Sequence, residues 1–472
     1  MKFTLGELAA AANSRAEGAE PTVLTGVAVD SRHVRPGDLF VAIRGERVDG
    51  HAFAREAAAR GAGALLGERR PPDLPAGFPA VLAPDPVRAL QQLAAVMKRQ
   101  MGFRLAAITG SAGKTTTKDF TAAILARRLS VEKTPGNQNS QIGFAMSIVN
   151  LPRRPDWMVG EMGLSAPGDL SRLSRTFPPD VAALLLVAPA HLEFFPSVDA
   201  IADAKAEILE GLLPDGTLVA NADDPRVEAI AARRAGHGRV LRFGSAPAAQ
   251  VTARDVVVDA AGSRFRLKTP SGEAEVRLPL PGPHQVTNFL AAAAIAFVVG
   301  LSPSDCAEAA GELRPAAHRG EWRPHVSGAR IYDDSYNANP ASMRAALETL
   351  AAVPAARRIA VLGDMLELGP QEEPLHREAG REAAGRADLL VAVGERARWI
   401  AQGAVAAGLP EASVLRAGSA EEAAELLGGR LAAGDVVLFK ASRGIGLDRA
   451  VEALASDHKG NAGGGSHQAS RG

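Results

Sequence analysis

The sequence predicts an α/β protein of three domains: a small N-terminal α/β unit, a central parallel-sheet unit with a phosphate loop, and a C-terminal Rossmann-like α/β unit. Three observations point there. Continuous apolar runs such as residues 181–187 read as strands buried on both faces, the signature of a parallel sheet. Segments with helical periodicity separate those runs, the alternation of a doubly wound fold. With 472 residues, the chain also has room for several domains of about 100–200 residues each.

The elements follow in order. Residues 1–104 form the first unit, with strands at 22–29 and 39–43, a turn at Pro36-Gly37-Asp38, and helices at 52–60 and 87–99. Residues 105–314 form the second. There 105–108 is a strand, a Gly-rich turn follows, and 115–127 is a helix. Residues 251–280 alternate apolar and polar, as in an antiparallel appendage, and 286–299 is a helix. Residues 315–458 form the third unit, with strands at 358–362, 389–393 and 436–439 and helices at 340–350, 375–387 and 420–432. Asn339 then Pro340 fits an N-cap followed by proline at the first helical position. The polar, Gly/Ser-rich residues 459–472 are expected to be a disordered tail.

Composition excludes several classes. Lys+Arg and Asp+Glu are both 53 and aromatics are 4%, so neither a basic surface nor a base-stacking platform for nucleic acid is expected. The lone Cys306 allows no internal disulfide and gives no sign of an oxidising compartment. The N-terminus lacks the apolar core of a signal peptide. The most apolar run, 289–301, is shorter than the ~20 residues a membrane span needs. A cytoplasmic protein is expected. Only nine of the 53 basic residues are lysines, so a lysine here is more often kept for its amine or its compact charge.

The strongest motif is Thr109-Gly110-Ser111-Ala112-Gly113-Lys114-Thr115-Thr116-Thr117, between a predicted strand and a predicted helix. There the backbone N–H groups of Gly110 through Thr116 can wrap a phosphate, Lys114 can neutralise it, and Thr115 can bind Mg²⁺. Ile108 stands where the full P-loop pattern has glycine, so the match is to the G-x-x-G-K-[ST] core. A plain Gly/Ser turn would share the spacing, but the strand–loop–helix context favours a nucleotide. Asp333-Asp334-Ser335-Tyr336-Asn337-Ala338-Asn339-Pro340 follows a strand, where α/β domains bind ligands. Asn339 reads as a cap, and Asp334 and Asn337 read as ligand-facing. Glu161, His191 and Lys205 are dispersed. Singly, His191 could be a core histidine and Lys205 a surface i,i+4 partner; Glu161 and His191 suit Mg²⁺ chemistry if their strand ends flank the loop.

Together these strings resemble the Mur ligases, the ATP-dependent amide-forming enzymes of peptidoglycan synthesis. The resemblance runs from Val27 to about Ala450. Besides the phosphate loop it rests on Thr134-Pro-Gly-Asn-Gln-Asn139, Glu161-Met-Gly163, Ala190-His191-Leu192-Glu193, Ala204-Lys205-Ala-Glu207, Gly282-Pro-His-Gln-Val-Thr-Asn288 and His318-Arg319-Gly320. Asp334–Pro340 and Leu362-Gly-Asp-Met-Leu-Glu-Leu-Gly369 are similar to the branch that adds D-alanyl-D-alanine.

The resemblance implies roles. Val29-Asp30-Ser31-Arg32 and Arg44-Gly-Glu-Arg-Val-Asp-Gly-His51 look like the family's uridine-diphosphate segments, which puts Ser31, Arg32, Asp49 and His51 against UDP-N-acetylmuramoyl-tripeptide. Thr115 and Glu161 would hold one Mg²⁺, and Glu161 and His191 a second. Lys205 matches the family's carbamylated lysine, supporting that second metal. Asn288 would face adenine, Arg319 would approach the γ-phosphate, and Asp334 and Asn337 would close over the nucleoside of ATP. The implied catalytic set is Lys114, Lys205, His191 and Arg319, in a monomer. Departures are Gln285 for the usual Asn, Ser140 for a second Asn, Ala145 for a frequent Pro, and Lys440-Ala-Ser442 where K-G-S is usual. A sister ligase, a folylpolyglutamate synthase-like ligase and a nucleotide-binding protein without ligase activity remain as alternatives.

Overall fold

The computed structural model describes residues 2–45, 48–190, 192–236 and 238–460. Three larger sheets organise it. In the first, strands Ala16–Glu17, Ala80–Leu82, Ala64–Gly67, Asp38–Val41 and Gly26–Ala28 lie side by side, parallel except at the first pair. The second is all parallel, in the order Arg239–Phe243, Thr217–Asn221, Val181–Leu184, Arg104–Thr109, Trp157–Glu161, Val131–Lys133. The third runs Glu321–Pro324, Arg330–Asp333, Asp435–Lys440, Arg357–Gly363, Leu389–Val393, Val414–Ala417, with only the first pair antiparallel. Thr252–Asp259, Gly262–Thr269 and Gly272–Leu278 form the expected antiparallel appendage.

Local chemistry sets the helix ends. Pro86–Met101 starts on Asp85, whose carboxylate accepts from the Arg88 N–H, and stops at Gly102, where φ is 64°. Its buried face belongs to the same apolar core as the strands on either side, so it mortars the first sheet to the second. Pro283–Val299 turns the polar residues of its first two turns toward the cavity, and from Phe289 to Ala296 it is apolar all round and buried, as an interior helix must be. Among the described residues no helix is long and apolar enough to cross a membrane.

Several expectations change. The run 22–29 is not one strand but two, Val23–Leu24 and Gly26–Ala28, which pair with different partners. The segment 52–60 begins as a 3₁₀ turn, Gly50–Phe53, before the helix Ala54–Ala59. The apolar run 181–187 leaves the sheet at Leu184, because 185–188 turn to brace the phosphate loop. The last helix, Asp448–Gly460, takes in the first two residues of the expected tail; 461–472 lie outside the described residues.

The units are tied by specific bonds. The Asn150 side chain donates to the Val27 carbonyl at 3.0 Å and accepts from its N–H at 2.8 Å, completing the edge strand Gly26–Ala28 as a neighbouring strand would. The third unit meets the second where the Glu193 N–H donates to the Glu367 carbonyl at 3.2 Å, and through Asn339.

Candidate active site

Arg104–Thr109 is buried beyond its first residue and delivers the loop at its C-terminal end, between the neighbours Val181–Leu184 and Trp157–Glu161. Gly113 opens the helix Lys114–Leu125 at φ 82°, and a Cβ there would collide with the Asn288 amide. Glycine is therefore needed both for the turn and for the close approach. Among the described residues the N–H groups of Ala112 through Thr116 make no bond within the protein, so they are free for an anion. Ser111 differs from its neighbours. Its N–H donates to the Leu186 carbonyl at 2.8 Å, and its hydroxyl bridges the Ala188 backbone at 3.0 Å. It shapes the loop more than it offers groups to a phosphate. Lys114 Nζ donates to the Gly110 carbonyl at 2.9 Å, and burial lowers its proton affinity.

Glu161 ends its strand beside the loop. The Thr115 hydroxyl donates to one carboxylate oxygen at 2.8 Å and the Asn139 amide to the other at 2.7 Å. The carboxylate is 3% exposed, and among the described residues no cation lies at ion-pair distance. A buried carboxylate with only neutral partners calls for a cation. A hydroxyl plus one carboxylate suits Mg²⁺, which takes few protein ligands and completes its shell with water and phosphate. No cluster of three His, Cys, Asp or Glu exists among the described residues. Lys205, on Val198–Ala206, is 3% exposed, and its amine makes no hydrogen bond or ion pair among the described residues. Burial, and then the charge of Lys114, hold its amine well below the ordinary lysine range.

The opposite wall comes from the third unit. Buried Asp333 accepts from His318 at 2.8 Å and from the Ser335 hydroxyl at 2.6 Å, and the Tyr336 N–H donates to the His318 carbonyl at 3.0 Å. These bonds fix the loop that carries Arg319, whose guanidinium lies 4.0 Å from the Tyr336 ring centre. Lys440 Nζ pairs with the Asp334 carboxylate and donates to the Asn337 carbonyl at 3.0 Å.

One cavity of about 710 Å³ gathers Gly110 through Thr116, Glu161, Lys205, Asn288, Arg319, Asp334 and Asn337. His191 lies outside the described residues. Ser31, Arg32, Asp49 and His51 do not reach this cavity. They sit instead at the C-terminal ends of two adjacent parallel strands of the first sheet. There His51 bridges Asp49 at 2.7 Å and the Glu68 N–H at 3.0 Å, Arg69 holds Asp49 at 2.8 Å, Arg32 pairs with Asp30, and Ser31 donates to Glu56 at 3.0 Å.

Sequence reasoning missed Lys118 and the contacts that Lys440 and Asn339 make across the site. Buried Lys118 donates to the carbonyls of Thr134 and Gly136, both at 2.9 Å, and so sets the loop that carries Asn139; lysine scarcity was the available signal. Lys440 organises the loop carrying Asp334 and Asn337. Asn339 caps its helix through Oδ1, which accepts from the Ser342 N–H at 2.9 Å, and also donates from Nδ2 to the Ser111 carbonyl at 3.0 Å. The departures are absorbed locally: Ser140 caps Gln141–Val149, and the Ala441 methyl sits against Gly363, which has no Cβ.

Asn339→Ser keeps a good cap but is too short to reach Ser111. Its melting temperature should stay near the parent's, while ATP turnover falls by about 10-fold through looser closure of the third unit. Parent-like turnover would show that the Ser111 bond does not matter.

Comparison with known proteins returns three family descriptions: "Mur ligase family, catalytic domain" over residues 23–99, "Mur ligase middle domain" over 108–296 and "Mur ligase, glutamate ligase domain" over 318–443. The UDP-N-acetylmuramoyl-tripeptide–D-alanyl-D-alanine ligase of Bacillus subtilis (strain 168) is 35% identical over 440 residues, covering 92% of this chain and 94% of its own. A crystal structure of MurF from Acinetobacter baumannii superposes with a TM-score of 0.88 at 30% identity, covering 97% and 99% of the two chains. The MurF ligase from Thermotoga maritima, solved with ADP, gives 0.81 at 30% identity, covering 92% and 98%.

Proposed function

The chain belongs to the Mur ligase family, and from that premise we infer that it is an ATP-dependent ligase joining D-alanyl-D-alanine to UDP-N-acetylmuramoyl-tripeptide, the pentapeptide-forming step of peptidoglycan synthesis. The observation that carries the reading is the cavity described above. It sets a glycine-rich strand–helix loop and a buried carboxylate on one wall against an arginine and the loop of Asp334 and Asn337 on the other.

The peptide carboxylate is a poor electrophile. Its oxygen attacks the γ-phosphorus, giving an acyl phosphate and ADP. The dipeptide amine then attacks the acyl carbon, loses a proton, and phosphate leaves from the tetrahedral intermediate. Two anions must meet in the first step. Lys114 and Arg319 supply fixed positive charge for that approach, and the N–H groups of Ala112 to Thr116 hold the phosphates. Asn288 faces the base, and Lys440 holds Asp334 and Asn337 against the nucleoside. Closure of the third unit keeps water from the acyl phosphate.

Thr115 and Glu161 would hold Mg²⁺, with His191 and a carbamate on Lys205 at a second ion; bound there, Mg²⁺ neutralises phosphate charge. The low proton affinity of Lys205 favours the neutral amine that carbamylation requires. Residues 1–104 would hold the UDP end through Ser31, Arg32, Asp49 and His51, 105–314 would hold ATP, and 315–458 the dipeptide. The enzyme would work as a monomer, as the family resemblance suggests, and in the cytoplasm, where ATP and UDP-linked precursors occur.

The test is phosphate release with Mg²⁺, ATP and UDP-N-acetylmuramoyl-tripeptide, with and without D-alanyl-D-alanine. Release that requires the dipeptide, with a pentapeptide product by mass, is expected. Release driven by another amino acid would reassign the acceptor, and ATP binding without turnover would favour a non-catalytic protein.

A further inference from the structure

The two groups that fit a first Mg²⁺ stand on different elements. Thr115 belongs to the helix Lys114–Leu125, and Glu161 ends the strand Trp157–Glu161. Their direct bond, at 2.8 Å, is made by the same oxygens that would face an ion. A site with few protein ligands depends on what aims those ligands from behind. Here that means whatever ties the helix to the strand end.

Lys118 makes such a tie. It lies on the helix of Thr115, three residues further along, with its side chain buried. Its ammonium donates to the carbonyls of Thr134 and Gly136, both at 2.9 Å. Those carbonyls open the loop 134–139, and that loop holds Glu161 twice. The Thr134 hydroxyl accepts from the Glu161 N–H at 3.2 Å, and the Asn139 amide donates to the carboxylate at 2.7 Å. On the sheet side the loop is fastened by the Thr134 N–H to the Val159 carbonyl at 3.1 Å and by the Gly163 N–H to the Asn139 carbonyl at 2.9 Å. On the side of the Thr115 helix, Lys118 fastens it. A neutral side chain could fill this space at less cost. Lys114 and Lys118 are like charges four positions apart on one helix, an unfavourable spacing. Asp119 is 3.8 Å from the Lys118 ammonium, and Lys133 already holds that carboxylate at 2.8 Å. A buried ammonium so loosely paired is costly. What it offers is a compact head with three donors, able to grip two carbonyls of one turn.

Resting on the Mg²⁺ reading of Thr115 and Glu161 above, we propose that Lys118 is a positioning residue for that metal site: it locks the helix of Thr115 to the loop 134–139, and the loop aims the Glu161 carboxylate. Lys118 does not line the cavity. It acts through Thr134 and Asn139, so its loss loosens the metal ligands while the phosphate loop keeps its own N–H groups.

The experiment reads metal binding without turnover. Mn²⁺, a paramagnetic substitute for Mg²⁺, is titrated into the parent and Lys118→Met with one equivalent of ADP and followed by electron paramagnetic resonance. Lys118→Met should raise the Kd for Mn²⁺ by about 10- to 100-fold, the scale of losing an outer partner of a metal ligand. ADP binding in EDTA should stay near the parent's, which separates the metal ligands from the phosphate loop. Asn139→Ala cuts the far end of the same route, so its loss and that of Lys118→Met should not add in the double variant. Additive losses, or parent-like Mn²⁺ affinity in Lys118→Met, overturn the assignment. Should Lys118→Met not fold, Lys118→Gln, which keeps an N–H donor on a shorter arm, is measured by the same criteria. If neither folds, Lys118 is a structural group and the assignment falls. A parent that binds ADP but no Mn²⁺ overturns the metal reading of Thr115 and Glu161 instead, so the two failures are distinct.

Discussion

Lys114→Ala should lower ATP turnover by about 10³-fold, toward background, while the protein melts no lower than the parent. The ammonium donates to the loop carbonyl of Gly110, where the Glu161 carboxylate favours its charge and Arg319 opposes it. Its proton affinity is already reduced by burial, so its charge is held at a cost to folding. Alanine removes that cost together with the charge that lets carboxylate and γ-phosphate approach. Lys114→Arg should be nearly as inactive, because the planar fork does not replace a compact ammonium above the loop. Phosphate release and thermal melting on the same samples check both halves. Turnover within about 10-fold of the parent would remove Lys114 from the phosphate site.

Lys205→Ala should lower activity by at least about 100-fold, with partial recovery on adding short-chain carboxylic acids. A carbamate forms when the neutral amine attacks CO₂, making an N–C bond and releasing a proton. Arginine cannot do this under the same conditions. The Lys205 amine is well below the ordinary lysine range because it is buried and faces Lys114. The neutral form is therefore present nearer neutrality, and falling pH protonates it and removes the carbamate, so activity should drop on the acid side. Lys205→Arg should be inactive and not recover, since its side chain fills the space an added acid would need. A ¹³C carbamate resonance under labelled CO₂, present in the parent and absent from Lys205→Ala, reads the modification without the reaction. Full activity in the alanine variant, or no such resonance in the parent, would remove the carbamate.

Both predictions start from features that short stretches of sequence already contain. The phosphate loop was legible because its determinants are local: Gly113 permits the left-handed turn, Lys114 follows it, and the helix starts there with unpaired N–H groups. Glu161 was legible as a strand end, and the apolar helix 286–299 as an interior one, because period and burial are encoded within a few residues. The strand 181–187 was overcalled for the same reason. Apolar character showed burial, yet beyond Leu184 the chain leaves the sheet, where the Leu186 carbonyl and the Ala188 backbone bond to Ser111.

By itself the sequence determined the phosphate loop, the alternation that gives parallel sheets, and the strand ends where Glu161 and Asp334 sit. Tertiary structure alone decided which of these face one another. Asn339 reaches Ser111 across 228 positions and Lys440 reaches Asp334 across 106. Tyr336 brings Arg319 and Arg443 to one ring. Such pairings depend on how whole units dock, and a hydrogen bond or a cation over a ring leaves no periodic trace in the chain. Periodicity reports which face a residue occupies, but docking decides what lies across from it.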